Sequence, residues 1–185
     1  MLGIDPSVAF VPVQLAVLTI SDSRSERTDA SGALLVELAT AAGHRILAKS
    51  IVRDERAEIE AQLRTFIADP AIDAVLATGG TGLTARDVTP EVFHSLYDKQ
   101  IEGFGELFRW LSHQSIGTST LLSRATAGVV GGTYMFALPG SPSACRDGWT
   151  KILAQQLDIR HRPCNLAELM PRLLDAKRRP PAGPL

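Results

Sequence analysis

Short apolar runs rich in β-branched residues, each closed by a polar or glycine-rich cluster, alternate along this chain with segments of helical period. Residues 13–20 read as a buried strand that ends in Ser21-Asp22-Ser23, and residues 46–52 as a second that ends in Arg53-Asp54-Glu55. Residues 72–77 form a third that runs into Thr78-Gly79-Gly80-Thr81-Gly82, and residues 134–138 a late one closed by Pro139-Gly140-Ser141-Pro142. Between them, a helix is expected over 31–42, with Leu34, Leu35 and Leu38 on one face and Gly43 closing it. Ile59, Leu63, Phe66 and Ile67 recur at amphipathic spacing, as do Phe104, Leu107, Phe108 and Leu111. Thr89-Pro90 and Ser141-Pro142 both look like an N-cap followed by proline at the first helical position. After the second of these, Trp149, Ile152, Leu153 and Leu157 should face inward. Strands that alternate with helices imply a mostly parallel sheet covered on both faces, so the expected fold is a three-layer α/β/α domain.

The expected domain runs from 13 to 174, after an arm at 1–12 that carries Pro6 and Pro12 and before a flexible tail at 175–185. With 45% hydrophobic and 21% charged residues, a chain of 185 residues can bury a core. A formal net charge of -1 excludes a general nucleic-acid binder, and Lys177-Arg178-Arg179 reads as a solvated end. Cys145 and Cys164 have no zinc-site spacing and no disulfide framework, which fits a reducing compartment. There is no signal-peptide layout and no apolar run of membrane-crossing length, so a cytoplasmic location is expected.

Ligands of open parallel sheets bind outside the carboxyl ends of the strands, and the four polar clusters would meet there. In the loop 78–82, three glycines allow close backbone approach, and exposed N–H groups with the Thr78 and Thr81 hydroxyls can cradle phosphate. No Gly-Lys-Ser/Thr follows, and GxGxxG is absent. Asp87, five positions past Gly82, is placed either to hold Mg²⁺ beside substrate phosphates or to favour the next helix N-terminus. Asp54 has the same two readings, and Asp22 is equally good turn chemistry. The hydroxyl-rich stretch Ser115, Thr118, Ser119, Thr120 and Ser123 leads to Arg124, either a guanidinium clamp or a surface arginine. His44, His94, His113 and His161 show no metal-ligand spacing, and Cys145, one turn into a helix, reads as packing.

Taken in order, Ser21-Asp22, Thr78–Gly82, Asp87-Val88-Thr89-Pro90-Glu91, Gly117-Thr118-Ser119, Ser123-Arg124-Ala125 and Leu138–Pro142 resemble the MoaB/Mog family of molybdenum cofactor biosynthesis, which includes the G domain of gephyrin. The likeness spans about 13–173. Glu102-Gly-Phe-Gly-Glu106, Ile116–Thr120 and His161–Asn165 look closest to the MoaB branch. The resemblance implies a molybdopterin-binding fold, a homo-trimer or homo-hexamer, and transfer of AMP from ATP to the terminal phosphate of molybdopterin with Mg²⁺. Carried over by motif, Thr78, Gly79, Gly80, Thr81, Gly82, Ser119, Ser123 and Arg124 would bind pterin and phosphate. Asp54 and Asp87 would be catalytic and hold Mg²⁺, with Ser21, Asp22, Pro139, Gly140 and Ser141 on the nucleotide side. Rival readings are a pterin-binding member without catalysis and a scaffold whose site is silent.

Overall fold

The computed structural model describes residues 3–173; the tail expected at 175–185 lies outside them. Six strands form one sheet in the order β3-β2-β4-β7-β6-β5. They are β2 (Gln14–Ile20), β3 (Arg45–Val52), β4 (Ala74–Thr78), β5 (Lys99–Gln100), β6 (Thr126–Val130) and β7 (Thr133–Leu138). β3, β2, β4 and β7 run parallel, while β6 lies antiparallel to β7 and β5 antiparallel to β6. The mostly parallel three-layer fold expected from the alternation is therefore present, with an antiparallel edge.

Alternate residues of the central strands feed two cores. Leu15 and Val17 of β2 pack with Leu34 and Leu35 of α1 (Ala30–Ala41), Phe104 and Phe108 of α4 (Glu102–Ile116), and Trp149. Ala16, Leu18 and Ile20 point the other way, against Ile59, Leu63 and Phe66 of α2 (Arg56–Ala68) and Val92, Phe93 and Leu96 of α3 (Thr89–Leu96). Strands buried on both faces must be apolar throughout, which is why these runs do not alternate with polar residues. Cys145 of α5 (Pro142–Gly148) is fully buried, and burial pushes its thiol up to about 11, so it packs as expected. The inward residues Trp149 to Leu157 follow on a π-helical turn (Trp149–Leu153) and α6 (Ala154–Gln156), and all four are buried.

Three local expectations differ. The antiparallel β6–β7 hairpin, which the sequence reading did not include, turns on Gly131-Gly132, whose φ values of 53° and 88° are those of the favoured two-residue hairpin loop. Leu107 is 42% exposed, so only Phe104 and Phe108 of its stripe are buried, with Leu111 partly so. The arm is docked: β1 (Gly3–Ile4) pairs antiparallel with β8 (His161–Arg162), and the Arg160 guanidinium lies 4.9 Å from the centroid of the Phe10 ring.

Candidate functional site

β2 connects through α1 to β3 on one side of it, while β4 lies on its other side. This makes the carboxyl ends of β2 and β4 the switch point of the sheet, where a crevice must open. A cavity of about 810 Å³ occupies it. Its floor is the loop after β4, residues 78–82. Ser21 and Asp54 enter from the ends of β2 and β3, Pro139, Gly140 and Ser141 from the end of β7, and Arg86 and Asp87 from the segment before α3. Ser119 and Ser123 close the far side. The clusters expected to converge do so.

The glycine loop is held by its carbonyls. Thr89 donates its hydroxyl to the Gly79 carbonyl at 2.9 Å and its N–H to that of Gly80 at 3.1 Å. Arg124 donates its N–H to the Thr81 carbonyl at 3.1 Å and its Nε–H to that of Gly82 at 2.7 Å. A loop that binds anions must keep its carbonyl oxygens occupied elsewhere, and here four successive ones are tied into the protein. Two glycines permit the bend: Gly79 and Gly80 have φ of 109° and 63°. An added Cβ at Gly79 would sit 2.1 Å from the Ile20 carbonyl oxygen, so no other residue fits between β2 and the loop.

Two carboxylates flank this loop. A Cβ at Gly80 would meet Asp54 Oδ1 at 2.7 Å, and one at Gly82 would meet Asp87 Oδ2 at 2.8 Å. Burial, then repulsion from Asp22 and Asp87, raises the Asp54 carboxyl above its ordinary value. Burial acts on Asp87 in the same direction. Hydrogen bonds from the Thr84 hydroxyl at 2.6 Å and N–H at 2.8 Å, with one from the Gly82 N–H, overcome it and lower Asp87. One carboxylate is thus pre-stabilised as an anion, and its neighbour carries charge short of compensation.

A match to the family described as "Probable molybdopterin binding domain" spans residues 16–159. The chain is 51% identical over 159 residues to molybdenum cofactor biosynthesis protein B of Escherichia coli (strain K12), which covers 86% of this chain and 94% of that protein. It belongs to the MoaB/Mog family. The crystal structure of a molybdenum cofactor biosynthesis protein B superposes with a TM-score of 0.82 at 40% identity, covering 90% of this chain and 98% of that one. The tungsten cofactor synthesizing protein MoaB from Pyrococcus furiosus does so with 0.67 at 32% identity, over 90% and 98%.

Several family positions hold roles other than those expected of them. Thr89 does not cap α3; Val88 holds that place, and the Thr89 hydroxyl is spent on the loop. Ser141 does cap α5, accepting from the Ala144 N–H. The Thr78 hydroxyl is not free for phosphate, because it donates to the Pro139 carbonyl at 3.0 Å and touches the Cys145 sulfur at 3.1 Å. Asp22 does not line the cavity; its carboxylate binds Arg86 at 2.8 Å and accepts from the Asp54 N–H. Arg124 is no clamp on the cavity side: its guanidinium donates to the Gly82 and Asp87 carbonyls and pairs with Glu91, behind the loop.

The sequence reading also missed most of one wall, of which it had singled out only Ser115. Phe108, Ser112 and Ser115 line the cavity from α4, and Asp147 faces them from α5, bound to Lys151 at 3.0 Å. Residues 117–122 form a 3-10 turn continuing α4 where an irregular polar stretch was expected. The spacing of Phe108, Ser112 and Ser115 at i, i+4 and i+7 is the signal that would have placed these serines on a helix face. Among the described residues no helix is long and apolar enough to cross a membrane.

Proposed function

We propose that this member of the molybdopterin-binding family transfers an adenylyl group from ATP to molybdopterin. A terminal phosphate oxygen of the pterin attacks the α-phosphorus, the α–β phosphoanhydride bond breaks, and pyrophosphate leaves with the electron pair. The observation that carries this reading is the pair Asp54 and Asp87 on either side of an anion-shaped glycine loop, in one cavity with room for two phosphorylated ligands. Nucleotidyl transfer asks little covalent help of a protein, so aligning two phosphates and offsetting their charge is the task such a cavity must perform.

Asp54 and Asp87 are the residues that would hold Mg²⁺. Their donors are hard oxygens, and the raised Asp54 carboxyl marks anionic charge that a cation relieves. No group of three or more His, Cys, Asp or Glu side chains among the described residues is arranged to hold a metal, so the other ligands would be phosphate and water, a common habit of Mg²⁺. The ion supplies neutralisation of the nucleotide phosphates. The chain's own part is positional. The N–H groups of Gly80 and Thr81 hold phosphate, since those of Gly79 and Gly82 are given to the Leu138 carbonyl and the Asp87 carboxylate; Ser119 and Ser123 orient the pterin side, and Ser21, Gly140 and Ser141 frame the nucleotide.

The protein acts as a homo-oligomer, a trimer or a hexamer. Leu107 and Trp110, three residues apart on α4, are 42% and 64% exposed, and Leu121 of the following 3-10 turn is 74% exposed, apolar side chains that contact between copies would cover. Incubation with molybdopterin, ATP and Mg²⁺ tests the activity. Pyrophosphate and an adenylylated pterin in equal amounts are expected. Tight pterin binding with neither product would assign the chain to a binding role instead.

A further inference from the structure

Arg124 sits where a motif-based reading places a phosphate ligand, yet every part of its guanidinium has a partner on the chain. Nε–H donates to the Gly82 carbonyl at 2.7 Å, one terminal nitrogen to the Asp87 carbonyl at 2.7 Å, and the other pairs with Glu91. Its backbone N–H takes the Thr81 carbonyl as well. The side chain therefore grips both ends of the segment 82–87 and fastens it to the first turn of α3, where Glu91 lies. That segment carries Arg86 and Asp87 into the cavity, and Arg124 itself is not among the residues that line it. It does line a separate cavity of about 430 Å³ behind the loop, with Glu91, Arg109 and Leu121.

We infer that Arg124 is a positioning residue: it fixes the glycine loop and the Asp87 segment in register and does not contact substrate phosphate. Asp87 is otherwise steadied from within the same segment, by the Thr84 hydroxyl and N–H and by the Gly82 N–H. The planar fork of arginine reaches two carbonyls and a carboxylate at once, which a lysine ammonium on a flexible stem does not reproduce. A direct phosphate contact, by contrast, is largely a matter of charge and tolerates lysine.

The inference rests on the adenylyl-transfer reading for its kinetic readout but not for its structural one. Arg124→Ala and Arg124→Lys are compared with the unaltered chain by amide hydrogen exchange over residues 80–88, by molybdopterin affinity, and by the turnover and KM of the ATP-dependent reaction. A positioning role predicts that exchange over 82–88 accelerates at least about tenfold in both variants, since two carbonyl anchors are lost in each. Molybdopterin affinity stays within about twofold, and turnover falls about 100-fold, the scale of a roughly 1 Å misplacement of a catalytic group. A fall in pterin affinity that Arg124→Lys restores, with unchanged exchange over 82–88, would overturn the inference. If the unaltered chain makes no adenylylated pterin, the proposed activity fails, and exchange with pterin affinity still decides the role of Arg124.

Discussion

Replacing Gly79, Gly80 and Gly82 one at a time by alanine should destabilise the protein in that order, because each position refuses a side chain for a different reason. At Gly79 the backbone has φ of 109°, and the new Cβ would stand 2.1 Å from the Ile20 carbonyl oxygen, which is part of a central strand with no freedom to retreat. Left-handed strain of about 1–2 kcal/mol adds to overpacking of about 1–3 kcal/mol, together about 2–5 kcal/mol. At Gly80, φ is 63°, and the Cβ meets two movable groups, Thr89 Oγ1 at 2.3 Å and Asp54 Oδ1 at 2.7 Å. The strain is similar, and the displaced Thr89 hydroxyl forfeits a hydrogen bond worth about 1 kcal/mol, giving about 2–3 kcal/mol. Gly82 has no positive φ, and its obstacle is the end of the Asp87 side chain at 2.8 Å, so at most about 1 kcal/mol is at stake. For 185 residues, about 2–4 °C of melting temperature is lost per kcal/mol, so scanning calorimetry should find drops of about 4–20, 4–12 and at most 4 °C. The Gly82 variant should be the informative one, folded yet slow, because its Cβ pushes on Asp87 alone. Equal melting temperatures for the Gly79 and Gly82 variants would refute the reasoning.

Asp54→Asn should stabilise the protein at neutral pH. Its folded carboxyl titrates above the ordinary 3.8, so the ionised form opposes folding above that folded pKa, and the cost fades as pH falls and is gone below about 3.8. Urea melts at pH 7 and pH 3.5 should show a gain at the first and none at the second, with Mg²⁺ raising the melting temperature of the unaltered chain more than that of the variant. Asp29→Ala should cost about 3–5 kcal/mol in the same melts, since buried Asp29 caps α1 at Gly32, accepts from Thr19 and pairs with Lys49 at 2.9 Å. Burial opposes ionisation of Asp29, but those partners lower its folded carboxyl below 3.8. Its contribution is therefore complete above the unfolded value and is lost as pH falls through the folded one. Trp110→Glu should shift the mass measured by light scattering toward the monomer without loss of helix signal, and an unchanged mass would remove that face from the oligomer contact.

The sheet was legible in the sequence because fully buried strands write themselves as unbroken apolar runs, and the site because each run stops at a polar cluster. What escaped notice is non-local or two-valued. The β6–β7 hairpin carried its own sign, Gly131-Gly132 between apolar segments, but β6 itself contains Gly128, which an added Cβ shows to be required by the Tyr97 ring at 2.4 Å. Pairing of the arm with His161 and Arg162 joins segments too far apart for any periodicity to record. Thr89 and Arg124 were assigned by type, cap and clamp, whereas the structure gives both to the carbonyls of one loop. A residue's chemistry says what it can bond; only the fold says which partner arrives first.

The convergence of Asp54 and Asp87 on the glycine loop is tested most directly by Asp87→Ala, with molybdopterin affinity and ATP-dependent adenylylation measured on the same preparation. Turnover should fall by about two orders of magnitude or more while affinity changes only a few-fold, as expected for a group that acts in the transition state more than in the ground state. Full adenylylation by the Asp87→Ala protein would contradict the site as described.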